Sequence, residues 1–167
     1  VDLVIESLTK IMNGHSDVLL GLLCGPTKHW ERVPQVMSTW GLAGAPFDCW
    51  LALRGMSTLA LRAERASLNA LAAARHLTTK NQVSHVFYPG LAEHPDHALA
   101  QRQFTGGFGS IVTFELAGGR AAAEQFIRAA QRIPFCPSLG DLSTTLSHPE
   151  STSHRSMTAE RRAQLGI

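Results

Sequence analysis

The chain has 167 residues, 44% of them hydrophobic, enough to bury one core or one and a half small ones. Lys and Arg number 15 against 13 Asp and Glu, and a net charge of +2 is too balanced to argue for nucleic acid or an anionic membrane as partner. Cys24, Cys49 and Cys136 are widely spaced and form no Cys-x-x-Cys, so they read as free thiols of a reducing cytosol rather than a disulfide frame or a zinc site.

No run of about eighteen apolar residues suggests a membrane span, and no signal peptide is visible. The chain lacks an initiator methionine, begins inside a strand pattern and stops at Gly166-Ile167 just after a helix pattern. Both ends therefore read as cut.

Val1 to Ile5, interrupted only by Asp2, reads as a short buried strand. Ser7, Thr9 and Lys10 follow, then an Asn13-Gly14 turn and the polar group His15-Ser16-Asp17. Burial lowers a lysine pKa, and a neutral amine attacks carbonyl carbon. Ser7 and Thr9 are two apart, so on extended backbone both hydroxyls face the same way and could hold one anion such as a phosphate. Lys10 would then point away, which requires a turn at Thr9–Lys10 or a side chain that curls over. An imine-forming lysine beside a phosphate cup describes a pyridoxal-phosphate (PLP) site. Four residues alone also fit a solvated strand end with a surface lysine. Ser7-Leu8-Thr9-Lys10 formally matches the Ser-x-x-Lys of acyl-enzyme hydrolases as well. That chemistry needs the serine at a helix start, with Ser-Asp-Asn and Lys-Thr-Gly further on, and neither tripeptide occurs.

Val18–Leu23 reads as a second buried strand, adjacent to the first in one sheet and ended by Gly25-Pro26. Trp30–Trp40 is a helical stretch, with Pro34 suited to its start. After the break at 41–46, Phe47–Met56 opens a helix with Pro46 and Asp48 in first-turn positions, and Gly55 is expected to interrupt it. Asp48 and Arg54 read as a structural pair. A long Ala- and Leu-rich helix from Ser57 to about Leu77 is the natural bridge between two lobes.

In the second lobe, strands are expected at Val83–Tyr88 and Phe108–Leu116, and helices at Pro95–Gln103 and Arg120–Arg132. His94-x-x-His97 has no third ligand nearby, so no metal site is expected. Gly106-Gly107-x-Gly109 precedes a strand rather than a helix, so it fails as a nucleotide loop. Ser138, in the turn Pro137-Ser138-Leu139-Gly140-Asp141, is either a second site residue or a hydroxyl satisfying its own backbone. Ser156-Met157-Thr158-Ala159-Glu160 sets a capped last helix, to Leu165.

Ser7-x-Thr9-Lys10, Asn13-Gly14-His15-Ser16-Asp17-Val18 and Gly21 resemble the lysine region of the Cys/Met-metabolism PLP enzymes: the cystathionine synthases and lyases, methionine gamma-lyase and the homoserine sulfhydrylases. The resemblance continues through Asp48-x-Trp50-Leu51-x-Leu53-Arg54-Gly55-Met56-x-Thr58-Leu59, Tyr88-Pro89-Gly90-Leu91, His94-Pro95-x-His97, Gly106-Gly107-Phe108-Gly109 and Ser138-Leu139-Gly140. It departs at Glu6, where the family usually has His, and at Ile11, where it usually has an aromatic residue.

The resemblance implies an α/β chain: the end of a fold-type I, aspartate aminotransferase-like large domain over residues 1–75, and most of a small α+β C-terminal domain over 76–167. It implies that Lys10 carries the internal aldimine, that Ser7 and Thr9 contact the phosphate, and that Ser138 and Leu139 line the substrate side. The implied reaction is γ- or β-elimination or replacement on cystathionine, methionine or activated homoserine, in a cytoplasmic homotetramer of paired dimers. The family's upstream cofactor-stacking and pyridine-binding residues, and its later carboxylate-binding arginine, match nothing in these residues. A chain so composed is expected to be inactive alone. A catalytically incomplete or degenerate relative is the alternative reading.

Overall fold

The computed structural model describes residues 2–167; Val1, the first residue of the expected strand, lies outside them. The chain forms two compact units: residues up to Leu61 with Gly140–Leu142, and Arg62–Leu139 with Ser143–Ile167.

In the first unit, β1 (Val4–Ser7) and β2 (Gly21–Cys24) pair antiparallel, with Val4 opposite Cys24 and Ser7 opposite Gly21. The two expected strands are neighbours, but β1 is exposed along its length, because a two-stranded ribbon has only one strand's worth of cover. The core lies beneath the connection instead. Leu8, Val18 and Ala52 are buried there, with Met12, Leu20, Leu22, Leu51 and Met56 packed around them. Burying a side chain of the size of Leu8 or Val18 contributes about 1.5–3 kcal/mol.

Helix α1 (Val33–Trp40) starts at the residue before Pro34, as a proline's missing N–H requires. Helix α2 (Pro46–Met56) has Pro46 and Asp48 in its first turn. Gly55 does not interrupt α2: it is buried inside the helix, and the break falls at Ser57–Thr58, whose hydroxyls donate back to the carbonyls of Leu53 and Gly55. No ion pair joins Asp48 and Arg54 among the described residues, since positions six apart lie on different faces of a helix. Helix α3 (Leu59–Thr78) has Leu59–Leu61 in one unit and its remaining residues, from Arg62, in the other.

In the second unit, Ser67, Ala70 and Ala74 form the buried stripe of α3, at helical spacing. Ala70 and Ala74 meet Tyr88 and Leu91, with Phe108 and Val112 against them. Strands β3 (Val83–Phe87) and β4 (Thr113–Leu116) pair antiparallel with a bulge between Val83 and His85. β4 is shorter than the expected Phe108–Leu116. Gly107 (φ 110°) and Gly109 (φ 83°) take left-handed backbone, which no ladder accepts.

The loop around Gly107 and Gly109 is instead tied to α3. Ser67 Oγ accepts the Phe108 N–H at 2.9 Å, and the buried Tyr88 hydroxyl donates to the carbonyls of Gly109 (2.9 Å) and Ser67 (3.2 Å). Helix α4 (His97–Gln103) follows the Pro89 turn, and α5 (Gly119–Ala129) packs Phe126 edge-on to Phe114 of β4. Helix α6 (Ala159–Gln164) is capped by Thr158 Oγ1, which accepts from Arg161 N at 3.3 Å. Among the described residues no helix is long and apolar enough to cross a membrane.

Candidate active site

The ladder between β1 and β2 runs one step past the strands, with Leu8 N–H donating to Leu20 O at 2.9 Å. At the next step a side chain replaces the backbone. Thr9 Oγ1 accepts the Leu20 N–H at 3.1 Å, which lets the main chain leave the ladder while Leu20 stays satisfied. Leu8–Met12 then winds into one wide helical turn, closed by Asn13 N–H to Leu8 O (3.2 Å) and Gly14 N–H to Lys10 O (2.8 Å). Lys10 itself departs from helical dihedrals (φ −98°, ψ −138°).

Ser7 and Thr9 therefore do not sit side by side on one extended strand. Ser7 closes β1 and Thr9 opens the turn, yet both line the same open depression of about 360 Å³, with Glu6, Ile5, Leu19 and Leu20. The turn, rather than strand periodicity, brings them together. Thr9 Oγ1 accepts from Leu20 N–H and turns its own proton toward Leu20 O at a long 3.5 Å, so that proton is only weakly engaged, and Ser7 has a proton of its own. Two hydroxyl donors and a following amine are the donor set that an aldehyde-bearing phosphate ester needs, so on donor chemistry these residues fit PLP. Glu6 adds a carboxylate to the same depression, which disfavours a phosphate unless the side chain turns away. The acyl-enzyme geometry is not present, since Ser7 ends a strand with extended backbone (φ −88°, ψ 103°) and caps no helix with its side chain.

The segment after the turn is more built than its sequence suggested. Asn13 is buried, and its amide donates to Asp17 Oδ1 at 2.6 Å. Its carbonyl lies 2.7 Å from His15 Nδ1. Helix α2 passes so close that a Cβ on Gly55 would fall 2.4 Å from both Asn13 O and Asn13 Oδ1. Ser16 is the one non-glycine residue with positive φ (55°) among those described, a conformation that costs roughly 1–2 kcal/mol for an L side chain. Its hydroxyl donates to Asp141 Oδ2 at 2.5 Å. Sequence reasoning missed Asn13, Gly55 and the Ser16–Asp141 contact. An isolated glycine inside a helical pattern was the available signal for the second of these.

Ser138 and Leu139 belong to the other unit. There the parallel bridge of Phe135 with Leu146 closes the loop that holds them, and Ser138 O accepts from Thr145 Oγ1 at 3.2 Å. His94 and His97 are held by local contacts: His94 Nδ1 accepts from Asp96 N at 3.2 Å, and His97 Nδ1 lies 2.7 Å from Pro89 O. Among the described residues no group of His, Cys, Asp and Glu could hold a metal ion.

Residues 1–167 match the family described as Cys/Met metabolism PLP-dependent enzyme. An O-succinylhomoserine sulfhydrylase of Pseudomonas aeruginosa is 40% identical over 99% of this chain and 41% of its own length. A cystathionine gamma-lyase of Dictyostelium discoideum is 36% identical over 99% of this chain and 43% of its own. The crystal structure of cystathionine gamma synthase from Xanthomonas oryzae, in complex with aminoacrylate and cysteine, superposes with a TM-score of 0.92 at 42% identity, over 99% of this chain and 43% of that one. The expected α/β, fold-type I class agrees with that superposition. The chain spans about two fifths of the length of these relatives.

Proposed function

Since this chain belongs to the Cys/Met metabolism PLP-dependent enzyme family, we propose that it forms the lysine-bearing part of an enzyme of sulfur amino-acid metabolism. The reaction is γ- or β-elimination or replacement on cystathionine, methionine or activated homoserine. The observation that carries this reading is the turn that sets Lys10 directly after two hydroxyls lining one depression. Ser7 and Thr9 donate to the cofactor phosphate. Lys10 is the residue whose amine would hold the cofactor aldehyde, and the same amine is the base that would move the substrate α-proton. Ser138, with Leu139 beside it, receives the substrate carboxylate. PLP, when bound, supplies the electron sink that makes the α-proton labile.

Residues 1–75 are the end of the cofactor-binding domain and 76–167 the small C-terminal domain. A cytoplasmic homo-oligomer of paired dimers belongs to the same reading. Apolar side chains left exposed in the first unit, Leu19, Trp40 and Phe47 among them, are surface that an assembly of copies would cover. A catalytically incomplete relative is the second reading, favoured by Glu6 in the depression that Ser7 and Thr9 line.

Borohydride reduction of the protein from its natural source, followed by peptide mapping, separates the two. A pyridoxyl mass on the Lys10 peptide is expected. A folded, cofactor-free protein with unmodified Lys10 would overturn the enzyme reading.

A further inference from the structure

Gly140–Leu142 is remote in sequence from the lysine turn but belongs to the same compact unit. Three features hold it there. Leu142 N–H donates to Gly14 O at 3.0 Å. Ser16 Oγ donates to Asp141 Oδ2 at 2.5 Å, the length of a charge-assisted O–H···O⁻ bond. Gly140, at φ 84°, lies so close to the turn that a Cβ there would sit 2.4 Å from Ile11 N and 2.8 Å from Lys10 C. The tripeptide thus grips the turn on both sides of Asn13: at the backbone of Lys10–Ile11 and at Gly14–Ser16.

We infer that Gly140-Asp141-Leu142 is a clasp on the lysine turn, and that Asp141, acting through Ser16, is a positioning residue for the Lys10 amine. The turn has a single wide wind and Lys10 lies off helical dihedrals, so the clasp adds long-range anchors to a segment whose backbone is not a regular helix. A lysine has four further rotatable bonds, and a small displacement at its Cα is carried to the amine. Attack on an aldehyde needs the reacting atoms about 3–3.5 Å apart and aligned. Holding Ser16 in its left-handed conformation fixes the exit of the turn, just as Thr9 fixes its entrance.

The inference rests on the proposed role of Lys10 and is tested on a readout of that residue alone. Cofactor-free full-length protein is mixed with PLP at increasing concentration, quenched with borohydride at intervals, and the adduct on the Lys10 peptide is quantified. Lys28 and Lys80 in the same digest serve as internal controls. Asp141→Ala and Ser16→Gly, the latter keeping the backbone freedom at φ 55°, are each expected to lower the maximal capture rate at Lys10 about tenfold. The half-saturating PLP concentration should change less than twofold, and the rates at Lys28 and Lys80 should not change. The double variant should be no slower than either single one, and Asp141→Asn, which keeps an oxygen acceptor for Ser16, should recover most of the rate.

Unchanged maximal rates in both single variants would overturn the clasp. So would losses that add in the double variant, or losses confined to half-saturation. If Asp141→Ala does not fold, slow Ser16→Gly beside fast Asp141→Asn is the supporting pattern, and equal rates in those two overturn it. No capture at Lys10 in the wild-type protein is a different result: it removes the proposed function first, and this inference with it.

Discussion

Gly55→Ala is a substitution for which two physical effects oppose each other, and the structure decides which wins. Gly55 lies within α2, where alanine is favoured over glycine by about 0.8–1.0 kcal/mol. From the helix alone, the variant should be more stable. The added Cβ, however, would lie 2.4 Å from Asn13 O and from Asn13 Oδ1, and 2.9 Å from Asn13 Cα. Ordinary contact begins near 3.4 Å, so the Asn13 backbone or the helix must move by roughly 1 Å. Overpacking of this kind costs about 1–3 kcal/mol. The obstructing atoms are mostly backbone, and Asn13 is further tied down through Asp17, which puts the cost in the upper part of that range. The expected net loss is about 1–2 kcal/mol. Urea unfolding should show a lower midpoint at unchanged slope. Because the yielding element is the turn that bears Lys10, capture of PLP at Lys10 should slow as well. A variant as stable as the wild type, or more so, would refute the close approach as a structural constraint.

Tyr88→Phe removes the hydroxyl that serves the carbonyls of Gly109 and Ser67 in a buried site, and should cost about 1–2 kcal/mol in urea unfolding. No change would mean the glycine loop is held by Ser67 and packing alone. Glu150→Gln removes the carboxylate that Arg120 and Arg162 both approach at 3.3 Å. A loss of about 1 kcal/mol or less is expected, shrinking as salt is added; a loss insensitive to salt would refute an ionic origin. The Arg120 hydrogen bond holds the Glu124 carboxyl below the usual range, and at the start of α6 the backbone N–H and then Thr158 do the same for Glu160. Both folded-state values are depressed, so this stabilisation is present above the unfolded carboxylate pKa and is lost as pH falls through the folded one. Unfolding midpoints measured from about pH 5 to about pH 3 should fall less steeply in Glu124→Gln/Glu160→Gln than in the wild type. Parallel slopes would refute the assignment.

How much was legible in the sequence differs with the range of the interaction. Helices α1, α2, α3 and α5 and strands β1 to β3 were readable to within a few residues, because apolar periodicity, proline placement and Gly-Pro punctuation are local. β4 was overestimated, because nothing local shows that Gly107 and Gly109 take left-handed backbone to meet Ser67. Gly55 was misread for a similar reason. Its local meaning is a weak helix position, and its actual use depends on a chain segment some forty residues earlier.

Near Lys10 the same division holds. Residue order alone marked Ser7, Thr9 and Lys10 as a hydroxyl pair with an amine, since the chemistry of a phosphate and an aldehyde depends on residue type and spacing. It also marked the family, because the motifs recur in order along the chain. The sequence did not determine that Ser7 and Thr9 line one depression across a turn rather than along an extended strand, nor that Asp141 reaches Ser16 from far along the chain. Those contacts join residues with no local relation, and only the folded backbone brings their atoms within hydrogen-bonding distance.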